Sequence, residues 1–175
     1  IVEVTPTPDL SRAPVTLQLN LGSEPVSIDP ALASDAAGLD MVESLFLGLT
    51  GFDPQGNVEP RLATSWTVSD DGLRWTFTLR DDITWGSYRP GSGVTSIGPV
   101  TADDVVYAVR RACDPRTAAE QAALNYVIAG CQALHTADPA SSAEQFAALA
   151  QAVGVEALDE TTVEFTLLEP AGHFP

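Results

Sequence analysis

The sequence has no lysine: its eight basic residues are all arginine, set against 24 acidic ones, for a formal net charge of -16. So negative a surface repels phosphate backbones, which excludes nucleic acid as a partner and disfavours anionic membrane surfaces. Without lysine there is no GxxxxGK[ST] phosphate loop. No stretch approaches the roughly 18 consecutive apolar residues of a membrane-spanning helix. Histidine occurs only at His135 and His173, neither in an HExxH or similar spacing, so no zinc site or other cofactor is expected. The two cysteines, Cys113 and Cys131, do not form a CxxC redox or metal motif. If the helices around them fold back on each other, the sulfurs meet in a disulfide worth roughly 3 kcal/mol, which implies an oxidising compartment. Two buried free thiols are the alternative; the disulfide is the expectation.

What is present is enough to build a core: 45% of the 175 residues are hydrophobic and three are Trp. Residues 1–14 (IVEVTPTPDLSRAP) carry three prolines and no periodicity, so they read as an extended linker. The start at Ile1 fits a processed chain whose export signal has been removed. Residues 15–21 alternate apolar and polar as a half-buried strand does. A Gly/Ser/Pro loop follows at 22–30. From about Asp35, Leu39, Val42, Leu45, Phe46 and Leu49 are spaced for a helix ending near Gly48 or Gly51.

Residues 53–57 (DPQGN) are turn chemistry. The clearest hairpin runs from Trp66 and Val68 through the Asp71-Gly72 turn into Leu73, Trp75, Phe77 and Leu79. Residues 86–98 read as an irregular surface loop. Thr101 opens a helix with Val105, Ala108, Val109 and Ala112 inward, stopped at Asp114-Pro115. The 117–120 segment (TAAE) has a capping-box pattern for a second helix with Leu124, Val127, Ile128, Cys131 and Leu134 inward. Ser141 and Ser142 start a third, with Phe146, Leu149, Ala150 and Val153 inward and Gly154 as its cap. A second hairpin turns at Asp159-Glu160, with Val163, Phe165 and Leu167 on one face. Antiparallel pairs separated by helices predict a mixed α/β fold of α+β character.

The residues offer no catalytic constellation. Asp70-Asp71, Asp81-Asp82 and Asp103-Asp104 are expected in turns and caps, because adjacent acids on a strand face opposite ways and the last pair opens a helix. Asp53, Asn57 and Glu59 lack the spacing of a calcium loop. Ser92 is not in a nucleophile elbow. His135 is expected to be a satisfied surface or capping residue. No enzyme is expected.

Residues 59–66 (EPRLATSW) and 69–80 (SDDGLRWTFTLR) resemble the signature stretch of the family 5 extracellular solute-binding proteins, the oligopeptide, dipeptide and nickel-binding components of ABC importers. Other stretches agree in order. Residues 27–31 (SIDPA) resemble the family's Leu-Asp-Pro loop, and 44–49 (SLFLGL) its "YEGL" helix end. Residues 99–108 (PVTADDVVYA) resemble its "P-x-T-A-x-D-V-x-Y-S" helix start, and 159–170 (DETTVEFTLLEP) its "D-x-x-T-V-x-F-x-L-x-x-P" strand. The 86–98 segment departs from the pattern, being longer than the commonest family form.

The resemblance implies a periplasmic-binding-protein-like type II fold, two-lobed and far longer than this chain. By it, this chain is a first-lobe fragment with antiparallel hairpins packed on helices. Residues 15–40 would be the opening strand and loop of the first lobe, 41–170 a small inserted subdomain, and 171–175 a truncated return. The second lobe, and with it most of the ligand cleft, would lie outside the chain. The implied location is extracytoplasmic. The implied partners are a peptide or similar small solute and an ABC transporter permease, with the membrane reached only through a possible lipid anchor. The resemblance puts the signature residues Trp66, Trp75, Phe77 and Asp71-Gly72 in core and turn. It carries ligand contact only onto the 22–26 loop, at Ser23, Glu24 and Pro25. A stand-alone interaction domain derived from the same subdomain, without ligand binding, is the alternative.

Overall fold

The computed structural model describes residues 20–138, 140–172 and 174. The linker at 1–14, residues 15–19 of the expected opening strand, and His173 lie outside the described residues.

Two hairpins join into one sheet. The first pairs β3 (Ala63–Val68) with β4 (Arg74–Leu79), and the second pairs β7 (Val155–Asp159) with β8 (Thr162–Thr166). Antiparallel pairing of β4 with β8 gives the order β3-β4-β8-β7, with Trp75 opposite Phe165 and Phe77 opposite Val163. Alternation in β4 places Trp75, Phe77 and Leu79 on one buried face, as expected of a half-buried strand. Phe77 meets Trp75, Trp66 and Phe165 ring to ring, and Phe165 meets Phe174. The Asp71-Gly72 turn forms where the pattern places it: Gly72 takes φ +72°, open to glycine at little cost, and Asp71 accepts hydrogen bonds from the Ser69 hydroxyl and the Leu73 amide.

Helices cover the sheet. α2 (Ala102–Cys113) starts after Thr101, as the sequence predicts, at a capping box in which Asp104 reaches back to the Thr101 amide. Its buried positions are Ala102, Val106 and Cys113; Val105 and Val109 are half-buried, and Ala108 is exposed rather than inward. The stripe is therefore rotated from the expected one, because the fully buried disulfide sets which face of α2 meets the core. α4 (Ala143–Gln151) is capped by Ser142 and buries Phe146, with the Arg116 guanidinium 4.4 Å over the Phe146 ring.

The predicted second helix does not form. Residues 115–135 instead make 3-10 turns at Pro115–Thr117 and Ala122–Asn125, then the short α3 (Cys131–His135). Ala118 is left-handed at φ +56°, so the 117–120 capping pattern has no helix to cap, and Leu124 is exposed. Strand-like partners take the backbone groups a helix would use. Ile128 bridges Leu167, the Ala129 amide donates to the Thr166 carbonyl, and the Leu168 amide donates to the Val127 carbonyl. Gly154 is not a cap either. Its amide donates to the Ala129 carbonyl, and a Cβ there would come within 2.5 Å of the Thr166 carbonyl oxygen.

Two further corrections lie at the periphery. α1 (Ala36–Leu45) stops at Leu45 because Phe46 turns extended, before either Gly48 or Gly51; it buries Ala37 and Gly38, leaving Leu39 and Leu45 exposed. The 86–98 segment is not irregular. It forms an antiparallel hairpin of β5 (Thr84–Arg89) and β6 (Gly93–Pro99), turning through Gly91 at φ +83° and Gly93 at φ +75°. A fourth, small hairpin pairs β1 (Thr50–Phe52) with β2 (Val58–Pro60) around the expected 53–57 turn.

Candidate functional site

The 22–26 loop is held by its neighbours' carboxylates. Asp35 caps α1 by accepting from the Gly38 amide at 3.0 Å, and its second oxygen accepts from the Val26 amide, also at 3.0 Å. These bonds hold the Asp35 carboxyl below the usual carboxylate range. Gly38 is required at this crossing, because a Cβ there would come within 2.6 Å of the Ser27 carbonyl oxygen. One step further, the Asp29 amide donates to the Ser27 hydroxyl and the Asp29 carboxylate accepts from the Ala31 amide, an Asx turn closing the loop.

The Asp29 carboxylate is also gripped by Arg111 from the last turn of α2. Arg111 Nη1 and Nη2 donate to its two oxygens at 2.7 and 2.6 Å. This two-pronged bond is the main cause of a lowered Asp29 pKa. Just before these anchors, Ser23 and Glu24 are exposed and Pro25 is half-buried, so two of the three candidate ligand residues present their side chains to solvent. Nothing in the loop's composition announces Arg111, which is 82 residues away in sequence. Asp35 had a legible signal, an Asp placed just before an apolar-periodic run.

The other candidates take structural roles. Asp71 sits in its turn; Asp82 pairs with Arg80, and Asp104 closes the capping box. Asp53 accepts from the Gln55 and Asn57 amides and the Asn57 side chain, which completes a turn. His135 ends α3 with its Nδ1 hydrogen-bonded to the Tyr126 hydroxyl. Among the described residues, no group of three His, Cys, Asp or Glu is placed to hold a metal ion. Cys113 and Cys131 are joined, and both are fully buried. The signature residues Trp75 and Phe77 are core, with Trp66 half-buried beside them. The best-formed concavities are shallow surface depressions: one on the exposed side of α2 around Tyr107 and Arg111, the other between α3 and α4. No described helix is long and apolar enough to cross a membrane.

Comparison with known proteins is consistent throughout. Residues 57–175 match the family described as bacterial extracellular solute-binding proteins, family 5 middle. The chain is 31% identical to the oligopeptide-binding protein OppA of Bacillus subtilis over 164 residues, which is 94% of this chain and 27% of that protein. It is 36% identical to the periplasmic oligopeptide-binding protein OppA of Escherichia coli, over 91% of this chain and 26% of that one. Among solved structures, the murein tripeptide-binding protein MppA of Escherichia coli superposes with a TM-score of 0.67 at 33% identity, covering 85% of this chain and 26% of MppA. OppA of Haemophilus influenzae in complex with RPPGFSPFR superposes with a TM-score of 0.69 at 31% identity, covering 87% and 27%. The chain thus spans about a quarter of the length of the curated relatives it matches. With the family model matching residues 57–175, more than half of its length, the chain belongs to the family 5 bacterial extracellular solute-binding proteins.

Proposed function

We propose that the chain supplies the ligand-facing edge of the first lobe in an extracytoplasmic solute-binding protein that delivers oligopeptides or dipeptides to an ABC importer. In this reading residues 15–40 open the lobe, 41–170 are an inserted subdomain and 171–175 begin the return. Ser23, Glu24 and Pro25 meet the ligand, the binding protein docks on a permease, and residues 1–14 lead from a lipid anchor. It is a binding component, not an enzyme.

One observation carries this reading: the 22–30 loop is fastened on its C-terminal side, at the Val26 amide by Asp35 and at the Asp29 carboxylate by Arg111, while Ser23 and Glu24 stay uncommitted. Free polar side chains beside a fastened stretch of backbone suit recognition of an extended peptide, whose main chain is bound by strand-like hydrogen bonds. Ordering such a loop in advance lowers the entropy cost of binding. The acidic surface has the same sign as anionic lipid headgroups, which favours a tethered protein standing off the membrane over one adsorbed to it.

Native mass spectrometry of the full-length protein with a tryptic digest of casein tests the proposal. Retained peptides are expected, with the Ser23→Ala/Glu24→Ala variant about tenfold weaker. Retention of no peptide would overturn the proposal, and unchanged affinity in the double variant would remove the loop from the site.

A further inference from the structure

We propose that Arg111 is a positioning residue for peptide binding: it acts through Asp29, as a clamp that fixes the ligand-facing loop to the subdomain. The inference rests on the reading of residues 22–26 as ligand-facing.

The observation behind it is a shortage of other ties. Hydrogen bonds within residues 20–47 are local: Asn20 to Gly22, Asp35 to Val26 and Gly38, and Asp29 to its near neighbours. Among the described residues, the Arg111–Asp29 pair is the only hydrogen-bonded link between this segment and the rest of the chain. The segment's two buried side chains, Ala33 and Ala37, are not part of the main core cluster. Phe46 touches Trp85 edge to face, but at the far end of α1 from the loop.

Arg111 is anchored to something rigid. It lies two residues before Cys113, whose disulfide is buried in the core, on a helix that also buries Ala102 and Val106. Its neighbour Arg110 points elsewhere and donates to the Val155 carbonyl. The path from core to loop therefore runs through α2, the guanidinium and the Asp29 carboxylate. That carboxylate also fixes the Ala31 amide, and the Asp29 carbonyl accepts from the Leu32 and Ala33 amides, so its orientation sets the chain direction on the loop's C-terminal side. Two parallel N–H···O bonds from a planar group fix orientation as well as distance, which an ammonium group cannot do. Both side chains remain about one-third exposed, so the pair's value lies in geometry more than in stability.

The test uses full-length protein with Arg111→Ala, Arg111→Lys and the reciprocal Asp29→Arg/Arg111→Asp. Three quantities are read: hydrogen exchange over residues 22–33 without ligand, the thermal midpoint, and native-mass-spectrometry titration with the casein digest. Arg111→Ala is expected to speed exchange across the loop and weaken peptide retention about tenfold. Its thermal midpoint should fall by only a few degrees, on the order of a 1 kcal/mol change. Arg111→Lys should resemble Arg111→Ala, and the reciprocal pair should recover part of both losses. Retention within about twofold of wild type in Arg111→Ala would overturn the proposal, as would unchanged loop exchange. A lysine variant equal to wild type would reduce the pair to simple charge attraction and overturn it too. If the wild-type protein retains no peptide, the functional reading fails instead, and loop exchange alone then decides the clamp: faster exchange in Arg111→Ala upholds it, unchanged exchange refutes it.

Discussion

Cys113, the last residue of α2, is joined to Cys131, the first residue of α3, by a disulfide with no solvent exposure at either end. It closes a segment whose helical content is two short 3-10 turns, which has few helical hydrogen bonds of its own to hold it in place. Replacing both cysteines by serine is expected to cost roughly 3 kcal/mol from loop entropy, and more because two hydroxyls enter an apolar core. Urea unfolding of the variant against wild type, with and without reductant, measures it. Intact mass after alkylation without reductant should show no modified thiol.

Phe77 carries a second prediction. It is 1% exposed and packs against Trp66, Trp75 and Phe165. Phe77→Ala should destabilise by about 3–5 kcal/mol. Tyr88→Ala, on the outer hairpin and 69% exposed, should stay within about 0.5 kcal/mol of wild type. Chemical denaturation of the two variants compares them directly.

The contrast between those residues also explains what the sequence could and could not reveal. Trp75, Phe77 and Leu79 alternate because one face of β4 is buried, so period and burial coincide. Tyr88, Val94 and Ile97 are all exposed in β5 and β6, and a register shift at Trp85/Gly86 breaks the alternation, leaving only Gly, Ser and Pro as signals. The 117–134 segment reads as helix because Leu124, Val127, Ile128, Cys131 and Leu134 have helical spacing, yet the bridge of Ile128 to Leu167 is a tertiary choice that no local pattern encodes. At the candidate site, the expectation of ligand contact at residues 22–26 comes only from family resemblance. Arg111 was not legible at all, since an ion pair spanning 82 residues leaves no local trace.

Gly130 is irreplaceable for two independent reasons. Its φ is +75°, and a Cβ there would collide with the Ala152 carbonyl. Gly130→Ala should lower stability by more than about 1 kcal/mol, seen as a fall in the calorimetric midpoint, whereas Gly91→Ala, with open space around its Cβ position, suffers only the backbone strain.

Acid should loosen the Asp29 clamp. The Asp29 pKa is lowered in the folded protein, chiefly by the Arg111 hydrogen bonds, so the pair's contribution is complete above the ordinary carboxylate pKa and is lost as pH falls below it through the depressed value. With both partners about one-third exposed, that contribution is at most about 1 kcal/mol. The stability gap between wild type and Asp29→Asn, followed by urea unfolding at a series of pH values, should be constant near neutrality and close in that acidic window.

Hydrogen exchange of the full-length protein, with and without a retained casein peptide, tests the central claim most directly. Added peptide should slow exchange at residues 22–26 while the β3-β4 turn at residues 69–72 stays unchanged, if the loop faces ligand as proposed and the signature hairpin is scaffold. Unchanged exchange at 22–26 together with protection at the hairpin turn would contradict it.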